Sequence, residues 1–363
     1  MNKGIMGKNI LQVTLYDNGN IGNRLQCYAL YKLLADRHCE VTLLRDRKDH
    51  QPDGKEILKN QIKYALGRLG SRKYGTKYKA WQGRYSRIAV MRQFSETYLG
   101  QVIDASCGTE GIDFSAYDMG IVGSDQVWHH WDDGGDLPYF YLEFLPPEKR
   151  AAYAASFGFD HFSEADVQQH KKGLQEMHFI SCREARGCEL VKELTGRDAL
   201  HVLDPTLILD AAEWKKLEND ASSFAKAQRG YVFIYFLGNI NDEYKHEIEK
   251  HTAGKKIVDF GNLADEDIAA CGPVEFLYLI DHADYVITDS FHCTVFSILF
   301  HKPFTVVRRQ QEGFNKMFGR IEELLISTGN QDKALGGVDR NLAADSFDSM
   351  KLRSLNYLDE ILR

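Results

Sequence analysis

The sequence predicts an α/β fold: two Rossmann-like domains facing one another across a cleft, with a basic helical insertion in the first and a C-terminal helix. Three observations predict it. Short runs of β-branched and aromatic residues alternate with stretches of helical periodicity. A polar, alanine-rich stretch from Ala211 to Arg229 interrupts this alternation, which starts afresh at Tyr231. The 363 residues are enough for two domains of ordinary size, each with its own core.

Ile10 to Tyr16 reads as the first strand. Asp17-Asn18-Gly19-Asn20-Ile21-Gly22-Asn23 follows as a turn, and Arg24 to Ala35 as a helix. A strand, a Gly/Asn-rich turn and a helix present backbone N–H groups and a positive helix end to anions, although Gly19 and Gly22 could equally just make a tight turn. Val41 to Leu44 is the second strand. Lys55 to Tyr98 breaks the pattern, being helical, basic and interleaved with Tyr64, Tyr74, Tyr78, Trp81 and Tyr85. It reads either as a solvated insertion or as a face for an anionic lipid surface.

Asp118 to Gly123 is the next strand. Ser124, Asp125 and Gln126 follow at its carboxyl edge, where α/β sheets place ligands; capping a following helix is the plainer role for Asp125. His129-His130-Trp131-Asp132-Asp133 has no metal-ligand spacing, so no metal is expected. Ala151 to Phe157 reads as a strand, Glu164 to Met177 as a helix, and Phe179 to Ser181 as a strand leading into Arg183-Glu184. His201 to Leu209 ends the first domain, with Asp204-Pro205 as its break.

The second half repeats the scheme with strand Tyr231 to Leu237, helix Asp242 to Thr252, strand Lys256 to Phe260 and helix Pro273 to Ala283. Then comes a β-α-β unit: the run Tyr285 to Thr288, the capping residues Asp289 and Ser290, a helix ended by His301-Lys302-Pro303, and the run Phe304 to Val307. Within this apolar unit His292 is the polar exception, in the first turn of the helix. A helix from Phe318 to Ser327 follows, and Phe347, Met350, Leu355, Leu358 and Leu362 mark an amphipathic C-terminal helix.

Composition narrows the functional classes. Hydrophobic residues at 44% and charged residues at 27% describe a globular protein. No apolar stretch approaches the roughly 20 residues of a membrane span, and the first thirty residues do not read as a signal peptide. Seven scattered cysteines without a C-x-x-C pair point to reduced thiols in a cytoplasm. The net charge of −7 hides an asymmetry: Lys55 to Arg92 holds eleven Lys/Arg against Glu56, about +10, leaving about −17 elsewhere. Nucleic-acid binding by the whole protein is therefore not indicated.

Five pieces stand in order: NGNIGNRLQCYAL (18–30), VGSDQVW (122–128), YAASFG (153–158), SCRE (181–184) and TDSFHCTVFSILFHKPF (288–304). Together they resemble the polysaccharide pyruvyl transferase family. The resemblance implies a GT-B-like arrangement, with residues 1–208 (insertion 54–98) on the acceptor side, 225–340 on the donor side and 341–363 as a terminal helix. It also implies a reaction without a separate cofactor. A pyruvyl unit moves from phosphoenolpyruvate, as co-substrate, to two hydroxyls of a sugar or lipid-linked oligosaccharide, giving a ketal and phosphate.

On that resemblance His292 is the acid/base group, Arg183 binds the donor, and Asp125 orients or deprotonates an acceptor hydroxyl. Asp289, Ser290 and Arg320 join Arg183 on the donor side. Asn20, Gly22, Asn23, Ser124 and Gln126 bind acceptor or phosphate. Some relatives have an arginine where this chain has Ser290, and Arg308, Arg309, Lys316 or Arg320 from the following segment is the candidate replacement, Arg320 before the others. At a helix N-terminus His292 needs a nearby anion to act as an acid, and the donor's own phosphate or carboxylate is the expected one. A nucleotide-sugar glycosyltransferase, for which Glu275 is the candidate ribose-binding acid, and a non-catalytic sugar-binding scaffold are the competing readings. Peripheral contact with the inner membrane through residues 55–92 and a homo-oligomer both stay open.

Overall fold

A computed structural model describes residues 7–15, 19–45, 54–68, 72–129, 137–239, 242–309, 315–339 and 345–363. Asp17, Asn18, the run His130 to Asp133 and the side chain of Lys316 lie outside the described residues.

The first sheet is parallel, in the order β3-β2-β1-β4-β5. Its strands are β1 (Asn9–Val13), β2 (Glu40–Arg45), β3 (Gln101–Asp104), β4 (Met119–Val122) and β5 (Arg150–Ala152). A parallel pair, β6 (Ser181–Cys182) and β7 (Leu200–His201), adjoins it through single bridges from Ala151 to Phe179 and from Ala155 to Cys182. Helix α1 (Ile21–Ala35) connects β1 to β2, so the strand order reverses between β1 and β4. The loops after those two strands hold Asn20, Gly22 and Asn23 on one side and Ser124, Asp125 and Gln126 on the other. That reversal opens the crevice in which such sheets hold ligands.

The second sheet is also parallel, in the order β11-β10-β8-β9, from β8 (Tyr231–Tyr235), β9 (Lys256–Asp259), β10 (Tyr285–Thr288) and β11 (Phe304–Val306). It reverses between β8 and β10, and β10 leads through Asp289 and Ser290 into the helix that bears His292. Both crevices therefore lie where the sequence places its candidate residues.

The insertion forms α2 (Gly54–Arg68) and the long α3 (Arg72–Tyr98). Helix α3 is not confined to the first domain. Arg87, only 4% exposed, donates to Phe260 O at 3.3 Å and Ile268 O at 2.6 Å, its guanidinium 4.2 Å from the Phe260 ring centre. Gly83 lies so close to the second domain that a Cβ there would meet Leu263 O at 1.9 Å. Further along, Ser95 accepts from Arg24 of α1. The helix thus straps the two domains together.

The other helices that position the site are α4 (Val167–Glu176), α5 (Ala185–Thr195), α6 (Asp242–Thr252), α7 (Pro273–Asp281), α8 (Phe291–Leu299), α9 (Asn315–Ser327) and α10 (Phe347–Ile361). The chain ends back on the first domain. In α10 the Tyr357 hydroxyl donates to Ala152 O at 2.9 Å, Ser354 Oγ accepts from Leu203 N at 2.9 Å, and Asp359 pairs with Arg37 at 2.7 Å.

Candidate functional site

The two crevices meet. His292, in the first turn of α8, lies against the first turn of α1: a Cβ on Gly22 would fall 2.1 Å from His292 Nδ1. Asn20 caps α1, accepting from Gly22 N at 2.9 Å and Asn23 N at 3.3 Å, and Ser290 caps α8, accepting from Cys293 N at 3.5 Å. Two helix N-termini, each with a partial positive charge, therefore converge on one imidazole.

The other nitrogen of His292 faces the first domain. Nε2 lies 3.8 Å from Asp204 Oδ2, an ion-pair distance too long for a hydrogen bond. His292 is 7% exposed, and Nε2 has no hydrogen-bond partner among the described residues. Asn23 Oδ1 is likewise buried and unbonded. Unmet polar atoms are costly inside a protein, and one where two crevices meet indicates a group aimed at a ligand.

Arg183 organises the floor. Its Nη1 reaches Asp204 Oδ2 at 3.0 Å, Nη2 reaches Asp125 Oδ1 at 3.2 Å, and Nε reaches Glu184 Oε1 at 3.2 Å. Its side chain is 2% exposed. Burial disfavours its charge, but the three carboxylates outweigh that and raise its pKa above the usual arginine range. Asp204 is fully buried. Burial pushes its carboxyl up, yet His292, Arg183 and the Thr206 hydroxyl together hold it well below the ordinary carboxylate range. Asp204 also caps the short helix Pro205–Ile208, accepting from Thr206 N at 3.0 Å.

Asp125 is held rather than free. Among the described residues directly after it, 126–129, there is no helix; its carbonyl accepts from Val127 N at 2.8 Å and Ser156 N at 2.9 Å. It keeps a φ of 70°, a left-handed conformation that costs a non-glycine residue on the order of 1 kcal/mol. That local strain aims its carboxylate at Arg183. Ser124 is fully buried, its hydroxyl donating to Asp204 Oδ2 at 2.9 Å and its N–H to Gln26 Oε1 at 3.0 Å. Ser124 thus positions Asp204 from beneath. Gln126 packs its amide on Gly158, where an added Cβ would meet Nε2 at 2.2 Å.

Of the cations considered in place of the arginine absent at Ser290, Arg308 pairs with Glu322 and stacks on Phe318. Arg309 binds Asp289 at 2.9 Å. Only Arg320, among the described side chains, enters the cleft. Its Nε is 3.8 Å from Glu184 and its Nη1 4.0 Å from Asp125. Burial and the neighbouring Arg183 charge lower its pKa to about 10. It borders a cavity of about 80 Å³ shared with Phe157, Phe159 and Glu184, and a smaller one of about 30 Å³ beside Asp204 and Phe291.

Asp289 faces away from this centre. Its carboxylate accepts from Leu237 N at 2.7 Å and Gly238 N at 2.9 Å, fastening the loop after β8. Cys293 is buried, and burial pushes its thiol up to about 12, which disfavours a thiolate nucleophile. Asp204 and Glu184 belong to the cluster but were not singled out from the sequence.

The sequence matches the family model described as Polysaccharide pyruvyl transferase over residues 20–311. The chain belongs to the polysaccharide pyruvyl transferase family. No curated protein matches the sequence. Among solved structures it is similar to UDP-GlcNAc 2-epimerase from Neisseria meningitidis bound to UDP-GlcNAc, at 10% identity over 97% of this chain and 91% of that one, TM-score 0.42. It is also similar to UDP-N-acetylglucosamine 2-epimerase from Rickettsia bellii, at 7% identity over 98% and 96%, TM-score 0.43. A third is the glycosyltransferase SnogD from Streptomyces nogalater, at 10% identity over 98% and 96%, TM-score 0.34. Likenesses this distant carry nothing about what the chain does. The family's transferase chemistry must be argued from the cleft.

One carboxyl at the cleft predicts a pH dependence. Glu323 of α9 accepts from Ala185 N at 3.4 Å and lies 3.7 Å from His201 Nε2. Burial, then the Glu184 charge, raises it from 4.5 to about 7. A folded-state pKa above the unfolded one favours the protonated fold, so this contribution is full below about 4.5 and is lost as pH rises through about 7. Melting curves across pH should show stability gained on acidification from neutral pH, and Glu323→Gln should flatten that part of the slope. Parallel profiles for the two proteins would exclude Glu323 as the source.

Proposed function

We propose that this transferase moves a pyruvyl group from phosphoenolpyruvate to two hydroxyls of a sugar in a bacterial surface polysaccharide precursor, forming a cyclic ketal and releasing phosphate. The observation that supports it is the unbonded Nε2 of His292 in a cleft where Arg183, Arg320 and two helix N-termini converge. A donor bearing a phosphate and a carboxylate suits such an environment.

The residues take complementary roles. Asp204, 3.8 Å from Nε2, is the anion that faces His292 at the helix end. Nε2 delivers a proton to the donor's methylene carbon, making its C2 electrophilic. One sugar hydroxyl adds there and loses its proton; the C2–O bond to phosphate breaks, and the second hydroxyl adds. Of the two hydroxyl protons, one restores His292 and the other leaves on phosphate. Arg320, 3.8 Å from Glu184 and 4.0 Å from Asp125, brings a second guanidinium to the donor phosphate. Asp125, beside Arg183 in the first-domain crevice, orients the acceptor hydroxyl.

The glycosyltransferase alternative required Glu275 as a free acid. Its carboxylate instead accepts from Gly272 N at 2.8 Å and Ser222 N at 3.0 Å, capping its own helix. The test is thermal stability and phosphate release with phosphoenolpyruvate or UDP-sugars. Stabilisation by phosphoenolpyruvate and acceptor-dependent phosphate release are expected. His292→Gln should lower the release rate 10²–10⁴-fold with little change in melting temperature. Stabilisation by UDP-sugars alone, or an undiminished rate in the variant, would overturn the reading.

A further inference from the structure

We infer that α2 docks the protein on an anionic membrane surface. The basic insertion divides into two helices with different surroundings. On one side α3 contacts the second domain through Gly83 and Arg87, as described above. On the other it packs on α2: Glu56 accepts from Trp81 Nε1 at 3.3 Å and Tyr85 OH at 3.0 Å, and Tyr64 stacks on Tyr78 with ring centres 4.3 Å apart. Helix α3 is the principal neighbour of α2 among the described elements. The outer face of α2 is thereby left to solvent.

That face has a defined chemistry. Lys55, Leu58, Lys59, Ile62 and Lys63 follow i, i+3, i+4, i+7, i+8 spacing and form one stripe. Leu58 is 57% exposed and Ile62 50%, with Ile57 at 37% on the flank. The three lysines are exposed and run along one border of the Leu58–Ile62 strip. The acid of the helix, Glu56, is turned inward to Trp81 and Tyr85. Exposed aliphatic side chains bordered by lysines, without an acid among them, complement anionic headgroups above an acyl layer. No described helix is long and apolar enough to cross a membrane, so the contact is peripheral. The inference rests on this surface and not on the reaction.

Co-sedimentation of the full chain with phosphatidylglycerol/phosphatidylcholine vesicles, and with phosphatidylcholine alone, tests it. Binding to the anionic vesicles only, weakened by salt, is expected. Lys55→Gln/Lys59→Gln/Lys63→Gln should reduce partitioning on the order of 100-fold, at about fivefold per lysine. Leu58→Glu/Ile62→Glu should abolish it, with melting temperature preserved because both side chains are exposed. No vesicle binding, equal binding to neutral vesicles, or undiminished binding by the second variant would overturn the inference. So would concentration-dependent self-association that this variant removes in the absence of lipid, since a second copy of the chain would then be the occupant. None of these outcomes depends on phosphoenolpyruvate turnover.

Discussion

Replacing Arg183 with methionine should cost about 3–5 kcal/mol of stability and abolish activity. The side chain is 2% exposed and satisfies Asp204, Asp125 and Glu184 with three different nitrogens. Without it, three carboxylates remain buried with, among the described cations, Arg320 at 3.8–4.0 Å from two of them and His292 at 3.8 Å from the third. Leaving buried charge uncompensated is far more costly than never forming the pair. Lysine at this position supplies one charge but not the planar fork, so Arg183→Lys should lie between the two. Urea denaturation midpoints with unchanged slopes would measure the loss. A methionine variant with wild-type stability and lost activity would make Arg183 a ligand group without a structural role.

The β-α alternation was legible wherever strands are buried and apolar. β8 and β10 fall where the runs of Tyr, Val, Phe and Ile place them, and α6 spans Asp242–Thr252 as its pattern predicts. β3 was missed: it is a polar edge strand, largely exposed, with Val102 as the middle of a short run after the basic helix. The run from Ala151 to Phe157 read as one strand, but β5 ends at Ala152 and Ala154 turns through a φ of 52°. An alanine gives no local warning of a left-handed backbone; its N–H donates to Ser181 Oγ, and the next residue, Ala155, is bridged by Asp125 and Cys182, all distant in sequence.

The site was legible in its parts and not in its wiring. His292, Arg183, Asp125 and Arg320 lie together, and the motif residues Asn20 and Ser290 proved to be helix caps. Asp204 was read as a domain break because Asp-Pro marks a turn. It performs both tasks, capping with Oδ1 while Oδ2 faces Arg183, Ser124 and His292. Its place at the carboxyl end of β7 was the available signal, and only the fold shows what it faces. Similarly, the basic charge of residues 55–92 was plain in composition, but its partition between a buried strap and an exposed stripe depends on which side of α3 meets the second domain.

Gly22→Ala should lower activity at least 10²-fold while leaving the fold intact or slightly firmer. Alanine is the better helix former by about 0.8–1 kcal/mol, and Gly22 lies in the first turn of α1, where its conformation needs no glycine. The added methyl would lie 2.1 Å from His292 Nδ1, 2.8 Å from Cγ and 2.9 Å from Cε1, closer than any real contact. Either the imidazole or the helix must move, and a displacement of about 1 Å at an acid/base group can cost 10²-fold. Because the methyl would act through the ring, its effect should vanish where the ring is absent. Phosphate release by wild type, Gly22→Ala, His292→Ala and the double variant forms a cycle that tests this. Gly22→Ala should slow the first background strongly and the His292→Ala background hardly at all. Equal losses in both would mean that α1 contacts substrate directly there, and that Gly22 serves a ligand rather than the histidine.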